Sequence, residues 1–248
     1  MRIFSALFLI LLLNCNSSFG CELVIRFVQY PPLSYLDENN QWQGMDIEIV
    51  QELLKRVDCS YKLTSLTWVR AIDSLKKGNI DLMSNVSKLP KRKAFAYFIG
   101  PTRNEQIVLV SLKSAPITIK NLREFNTLGK PIAIQRGAYY GDTFADILAK
   151  TPNPKAHYLT IPNNAVKLSL MLRSRISGFI EEKVNVVHKL KTTPEFNKLS
   201  LHFETLHNNP VYFALSRNSI TPALFAKMEK AFATMQQDGT LATIQAKY

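Results

Sequence analysis

No glycine-rich phosphate loop follows a strand in this chain of 248 residues, and there is no nucleophile elbow, so nucleotide-dependent and serine-hydrolase chemistries have no anchor. The four histidines, His157, His188, His202 and His207, stand without ligand spacing, and the expectation is no metal and no cofactor. Beyond the amino terminus no segment approaches ~20 consecutive apolar residues, so no transmembrane helix is expected there. Cysteine is limited to Cys15, Cys21 and Cys59. Acidic residues are outnumbered, 19 Asp and Glu against 31 Lys and Arg, for a formal charge of +12. Such a balance can mark nucleic acid, an anionic membrane or an acidic ligand as partner. The lysines are scattered without aromatic interleaving, so a solvated basic surface is the better reading and nucleic acid is not expected.

What is present begins with an export signal. Arg2 precedes an apolar run over 3–13, and Ser18 and Gly20 supply small residues where a signal peptidase prefers them. Residues 1–20 are expected to be a cleaved signal peptide and the mature product to be periplasmic. Lipid anchoring ranks lower, because Asn14 and Phe19 occupy positions before Cys15 and Cys21 where lipidation favours other residues. Cleavage leaves Cys21 and Cys59, one pair in an oxidising compartment. Each stands just ahead of an expected strand, 22–28 and 61–67, so a disulfide would join the starts of two neighbouring parallel strands. Two free thiols are the alternative.

Strands and helices then alternate, the pattern of an α/β fold with mostly parallel sheets. A hairpin tip is expected at 37–40 and a helix capped by Asp46, with Ile47, Val50, Leu53, Leu54 and Val57 on one face. The next unit has a cap at Thr67, a helix to Lys77 with Val69, Ile72 and Leu75 inward, Gly78 as its stop and a strand over 80–83. A second series repeats this order: strands at 132–134, 158–161 and 176–180, helices at 142–150 and 164–173. Strand-like stretches follow near 199–205 and 211–216, and then a helix with Thr221 as cap, Pro222 at its first position and Gly239 at its end. Two similar lobes are implied, with lobe 1 at 21–106 plus 210–248 and lobe 2 at 107–209. Two chain crossings would form the hinge and leave a cleft between them.

The stretch over 79–100, NIDLMSNVSKLPKRKAFAYFIG, carries the chemistry of one cleft wall. A short apolar strand gives way to Ser84, Asn85 and Ser87, and Arg92 follows. A guanidinium offers a planar fork of donors that matches a carboxylate, and hydroxyls beside it complete an anion clamp. The same residues also read as a plain strand-loop-helix connection, with Lys88, Lys91 and Lys93 as a solvated face.

PPLSYLDENNQWQGMDIEIVQELLKR, LTWVRAIDSLKKGNIDLM, SNVSKLPKRKAF, PIAIQRGAYYGDTFADIL and MEKAFATMQQDGTLATIQAKY, in that order, resemble the extracellular solute-binding proteins of family 3. These are the polar amino acid receptors of bacterial ABC importers, and the resemblance covers essentially the whole mature chain. It implies a two-lobed periplasmic binding protein fold of type II, each lobe a mixed, mostly parallel sheet flanked by helices. The ligand would be an amino acid or related small carboxylate and the partner an inner-membrane permease, with the protein itself a monomer.

Residue by residue, the resemblance puts Tyr30 and Trp68 on the apolar floor of the site. Ser84, Asn85, Ser87 and Arg92 correspond to the α-carboxylate clamp. On lobe 2, Ala138 and Tyr139 replace the family's clamp threonine in the loop that also holds Arg136. Glu182, with Glu181 as the near alternative, would meet the α-amino group. Arg70, Arg103 and Arg136 together suggest an unusually basic cleft and an acidic ligand. Two other functions use the same fold: a cyclohexadienyl dehydratase-like enzyme with Glu182 or Glu181 as general acid, and an orphan ligand sensor.

Overall fold

The computed structural model describes residues 21–248. The expected signal peptide over 1–20, with Cys15, lies outside the described residues. No helix among the described residues is long and apolar enough to cross a membrane. The first half of the chain gives β1 (Cys21–Arg26), β2 (Tyr35–Leu36), β3 (Trp42–Gln43), α1 (Met45–Val57), β4 (Cys59–Thr64), α2 (Trp68–Lys77), β5 (Leu82–Ser87), α3 (Pro90–Lys93) and β6 (Ala96–Leu112). The second gives β7 (Ile132–Gln135), α4 (Asp142–Lys150), α5 (Pro154–His157), β8 (Tyr158–Ile161), α6 (Lys167–Leu172), β9 (Gly178–Glu182), α7 (Lys183–Thr192), β10 (Leu199–Ser216), α8 (Pro222–Gln237) and α9 (Thr240–Gln245).

Eight strands form one sheet in the order β4-β1-β5-β10-β6-β9-β7-β8. The two halves of that order mirror each other. β1 pairs in parallel with β4 and β5, and β5 runs antiparallel to β10. Likewise β7 pairs in parallel with β8 and β9, and β9 runs antiparallel to β6. The repeat expected from the two sequence series is therefore present as strand order. β6 and β10 are 17 and 18 residues long and pair with each other from Ala96↔Ser216 to Leu112↔Leu199, so both cross from one half to the other.

Each half has its own cores. In lobe 1, the apolar stripe of α1 packs with Ile25, Leu82 and Phe213 and with Met228, Phe232, Met235, Leu241 and Ile244 of the last two helices. The carboxyl-terminal segment thus closes the lobe that the amino-terminal segment opens. In lobe 2, Ile107, Leu109, Phe125, Ile132 and Ile180 form one cluster, and Val108, Val110, Met171, Phe179 and Leu199 form another on the other face of the strands. Cys21 and Cys59 face each other in the β1–β4 register and form the disulfide.

Several local expectations hold. Gly78 takes the left-handed conformation after α2, and the Thr221 hydroxyl accepts from the Leu224 amide at the start of α8. Others are corrected. Asp46 does not cap α1: Gly44 does, at φ 121°, and a Cβ there would lie 2.5 Å from the Leu33 carbonyl oxygen. Val69 is exposed, and Ala71 joins the expected Leu75 on the buried face of α2. β9 ends at Glu182, two residues beyond the expected limit, and places both glutamates on the strand.

Candidate functional site

The strand expected to stop at residue 83 continues to Ser87 because it carries a bulge. Met83 pairs with Ala214 and Val86 with Tyr212, so Ser84 and Asn85 stand opposite the single residue Phe213. Asn85 lies at φ 59°, a left-handed conformation that Asn tolerates better than most residues. The bulge helps to set Ser84, Asn85 and Ser87 along one cavity wall. α3 follows and brings back Arg92, which is buried at 5% exposure while Lys88, Lys91 and Lys93 remain in solvent.

That cavity has a volume of about 90 Å³ and lies where the two halves meet. At ~10–15 Å³ per water this is room for ~6–9 waters, the scale of a compact ligand. Tyr30, Trp68, Ser84, Asn85, Ser87, Arg92, Ala138, Tyr139, Glu181 and Glu182 line it. Sequence reasoning did not single out Arg26, Glu105, Gln135 and Asn164, which line it too. Arg136 does not. It is exposed, as is Arg70.

The charges divide into satisfied and unsatisfied groups. Glu182 bonds to the Arg103 guanidinium through both oxygens, the second contact at 3.2 Å, and Arg103 Nη2 donates to Asn85 Oδ1 at 2.7 Å. Asn85 Nδ2 donates in turn to Asp46 Oδ2 at 2.5 Å. Burial lowers the proton affinity of Arg103, but Glu182 and Asp46 more than reverse this and hold it charged. Glu181 accepts from the Tyr30 hydroxyl at 2.6 Å and from Lys167 Nζ at 2.9 Å. Burial raises the Glu181 carboxyl, yet Lys167 and Tyr30 hold it below the usual range.

The expected basic cleft therefore has a different origin. Arg103 is neutralised by Glu182, and Arg70 and Arg136 face away. Arg26 and Arg92 remain, and neither pairs with a carboxylate among the described residues. Arg92 Nη1 donates to the Ser87 carbonyl at 3.0 Å and Arg26 Nε to the Leu66 carbonyl at 3.1 Å. Both guanidiniums lie over the Trp68 ring, at 5.6 and 5.7 Å from its centroid. Burial pushes Arg26 down to about 10, which leaves it cationic at neutral pH, and Arg92 is lowered for the same reason against the pull of Glu105.

Glu105 is the cavity acid without a cation. Its one hydrogen bond is a long contact from Asn209 Nδ2 at 3.4 Å. Burial, with Glu182 and Glu181 adding to it, pushes the carboxyl up to about 8. The Tyr139 hydroxyl turns to Asp142 at 2.9 Å and its ring packs edge-on against His207, so it fills space instead of replacing a clamp hydroxyl.

Besides the Arg103–Glu182 ion pair, three hydrogen bonds tie the cavity walls together across the cleft. They are Tyr30 to Glu181, Trp68 Nε1 to the Gly137 carbonyl at 3.0 Å, and Asn185 Nδ2 to the Pro31 carbonyl at 2.6 Å.

Comparison with known proteins gives the same answer throughout the chain. The family described as bacterial extracellular solute-binding proteins, family 3, matches residues 24–248. The L-cystine-binding protein TcyA of Bacillus subtilis (strain 168) is 23% identical over 221 residues, covering 88% of this chain and 77% of the relative. A solved ancestral arginine-binding protein bound to arginine superposes with a TM-score of 0.79 at 20% identity, over 92% of this chain and 97% of the other. The ancestral amino acid-binding protein AncCDT-1, a precursor of cyclohexadienyl dehydratase, gives a TM-score of 0.76 at 23% identity, over 92% and 95%. These structural likenesses establish the two-lobed α/β fold, and the match over nearly all described residues establishes the rest: the chain belongs to the bacterial extracellular solute-binding proteins, family 3.

Proposed function

We propose that this protein is a periplasmic receptor that captures an amino acid or related small carboxylate between its lobes and delivers it to an ABC transporter permease. The observation that carries the reading is Arg92, a buried guanidinium with donors left over, flanked by Ser84 and Ser87 on the cavity wall. An unpaired buried cation is costly, and a ligand carboxylate would compensate it with charge-assisted hydrogen bonds. The names of relatives, an L-cystine-binding protein and a putative ABC transporter arginine-binding protein, support the same reading.

Tyr30 and Trp68 would pack on the ligand, and Ala138 and Tyr139 would shape the lobe 2 wall. Glu182 would act on an amino group only in competition with Arg103. Arg136 has no part in this site. The lobes would divide at 106/107 and 209/210, where β6 and β10 cross, and the receptor would work as a monomer. Ligand contacts from both lobes would shift the population toward the closed form. A thermal-shift screen of amino acids and small dicarboxylates tests this, because a ligand bound only by the folded state raises the melting temperature. No shift with any of them would overturn it.

A dehydratase-like activity is the second reading, favoured by one observation: Glu105 lines the cavity as a carboxyl with raised proton affinity. It replaces Glu181 and Glu182 as the candidate general acid, since those two are ion-paired. Incubation with prephenate or arogenate and assay for aromatic product decides it.

A further inference from the structure

We infer that the cavity takes a compact acid bearing two anionic groups, with Arg92 holding one and Arg26 holding the other. This rests on the reading of the cavity as the ligand site and names the ligand class. Arg26 ends β1 on the cavity side, between the buried Ile25 and Phe27, at 8% exposure. Strand side chains alternate between faces, so Arg26 points away from the core that holds Ile25 and Phe27 and toward Trp68 and the cavity. Its Nε is used by the Leu66 carbonyl, while Nη1 and Nη2 have no hydrogen-bond partner among the described residues. Those two nitrogens are also absent from the enclosed atoms that lack partners, so they keep access to open space. The space next to them is the cavity.

Arg92 is in the same condition, with Nε and Nη2 unbonded. Two buried cations lie over one ring, Trp68, and no protein carboxylate is within salt-bridge reach of either. Like charges held together in this way repel unless counter-ions intervene, and a single carboxylate compensates only one of them. The acids that could oppose this assignment are committed elsewhere, Glu182 to Arg103 and Glu181 to Lys167. Glu105 retains its proton near neutrality and so offers a donor to an anion. The remaining polar wall, Ser84, Ser87 and Gln135, likewise accommodates carboxylate oxygens. A cationic side chain, by contrast, would lie beside two guanidiniums.

Isothermal titration of the mature protein with L-glutamate, L-glutamine, succinate and L-arginine tests the assignment, because glutamate and glutamine differ in charge at nearly equal shape. A charged hydrogen bond gives roughly 10- to 100-fold, so glutamate or succinate should bind at least tenfold more tightly than glutamine, and L-arginine more weakly still. Arg26→Gln should lower the glutamate-to-glutamine affinity ratio at least tenfold. Glutamine or L-arginine binding as tightly as both diacids overturns the inference and leaves the receptor reading intact, and so does an unchanged preference in the Arg26→Gln protein. Binding of none of the four, nor of any compound in the wider screen, overturns both. Should Arg26→Gln fail to fold, the glutamate-to-glutamine ratio of the unaltered protein decides alone.

Discussion

The two walls of the cavity use charge in opposite ways. On the lobe 1 wall, Arg26 and Arg92 are buried without carboxylate partners. At the lobe 2 end of β9, Glu181 and Glu182 are equally buried but already bonded, to Lys167 and Arg103. One wall is incomplete without a ligand, and the acids of the other are satisfied within the protein, Glu182 by a cation from across the cleft. The lesson is that a buried charge in a binding site is read from its partners. By burial alone, the two arginines and the two glutamates would look alike.

The sharpest way to break this contrast is to unsatisfy the satisfied wall. Lys167→Ala leaves Glu181 buried without its cation and should lower unfolding free energy by about 3–5 kcal/mol, measured by denaturant titration. The corresponding loss on the other wall should leave the fold standing. Arg92→Gln removes a cation that nothing in the protein neutralises, so melting without ligand should not fall, while affinity drops about 100-fold, or ~3 kcal/mol, by calorimetry.

Glu105 stands between the two cases and titrates. Its folded-state value of about 8 lies above the usual 4.5, so between these pH values the folded protein keeps a proton that the unfolded chain has lost. Stability contributed by the protonated group is complete below pH ~4.5 and is lost as pH rises toward ~8, a fall of more than about 1.4 kcal/mol. Glu105→Gln should flatten that slope, and an unchanged slope would assign it to other groups. The smallest effect belongs to the cross-cleft bond from Asn185 to the Pro31 carbonyl. Asn185→Ala should weaken closure by about 1 kcal/mol and ligand affinity by about fivefold, with little change in ligand preference.

How legible each wall was follows from how local it is. Ser84, Asn85, Ser87 and Arg92 lie within one short stretch, and their residue types suffice to suggest an anion clamp. The alternation of strands and helices in both halves was readable for the same reason, because helix caps and apolar stripes recur locally. Arg26 looks in sequence like a basic residue ending an apolar strand. Only the neighbouring β5 and the Trp68 ring of α2 show that it faces a cavity. Glu105 was missed because it sits in a long strand whose course between the lobes is set by pairing with β10, over a hundred residues later. Arg136 and Glu182 show the opposite limit: their positions along the chain suited the site, but the exposure of Arg136 and the Arg103 partner of Glu182, which does line the cavity, arise from the three-dimensional fold.

The double crossing of β6 and β10 bears on the order in which the protein can be completed. The lobe 2 strands on one side of β6, namely β9 and the parallel β7 and β8 beyond it, are all available once residue 182 has been made. In lobe 1, β5 keeps an open edge until Val211 to Leu215 arrive to pair with it, and the core around α1 lacks one side until α8 and α9 follow. The first segment to emerge is thus among the last to close. A chain that ends early would present an unpaired apolar strand and an uncovered helix face, the surfaces a chaperone or a protease recognises.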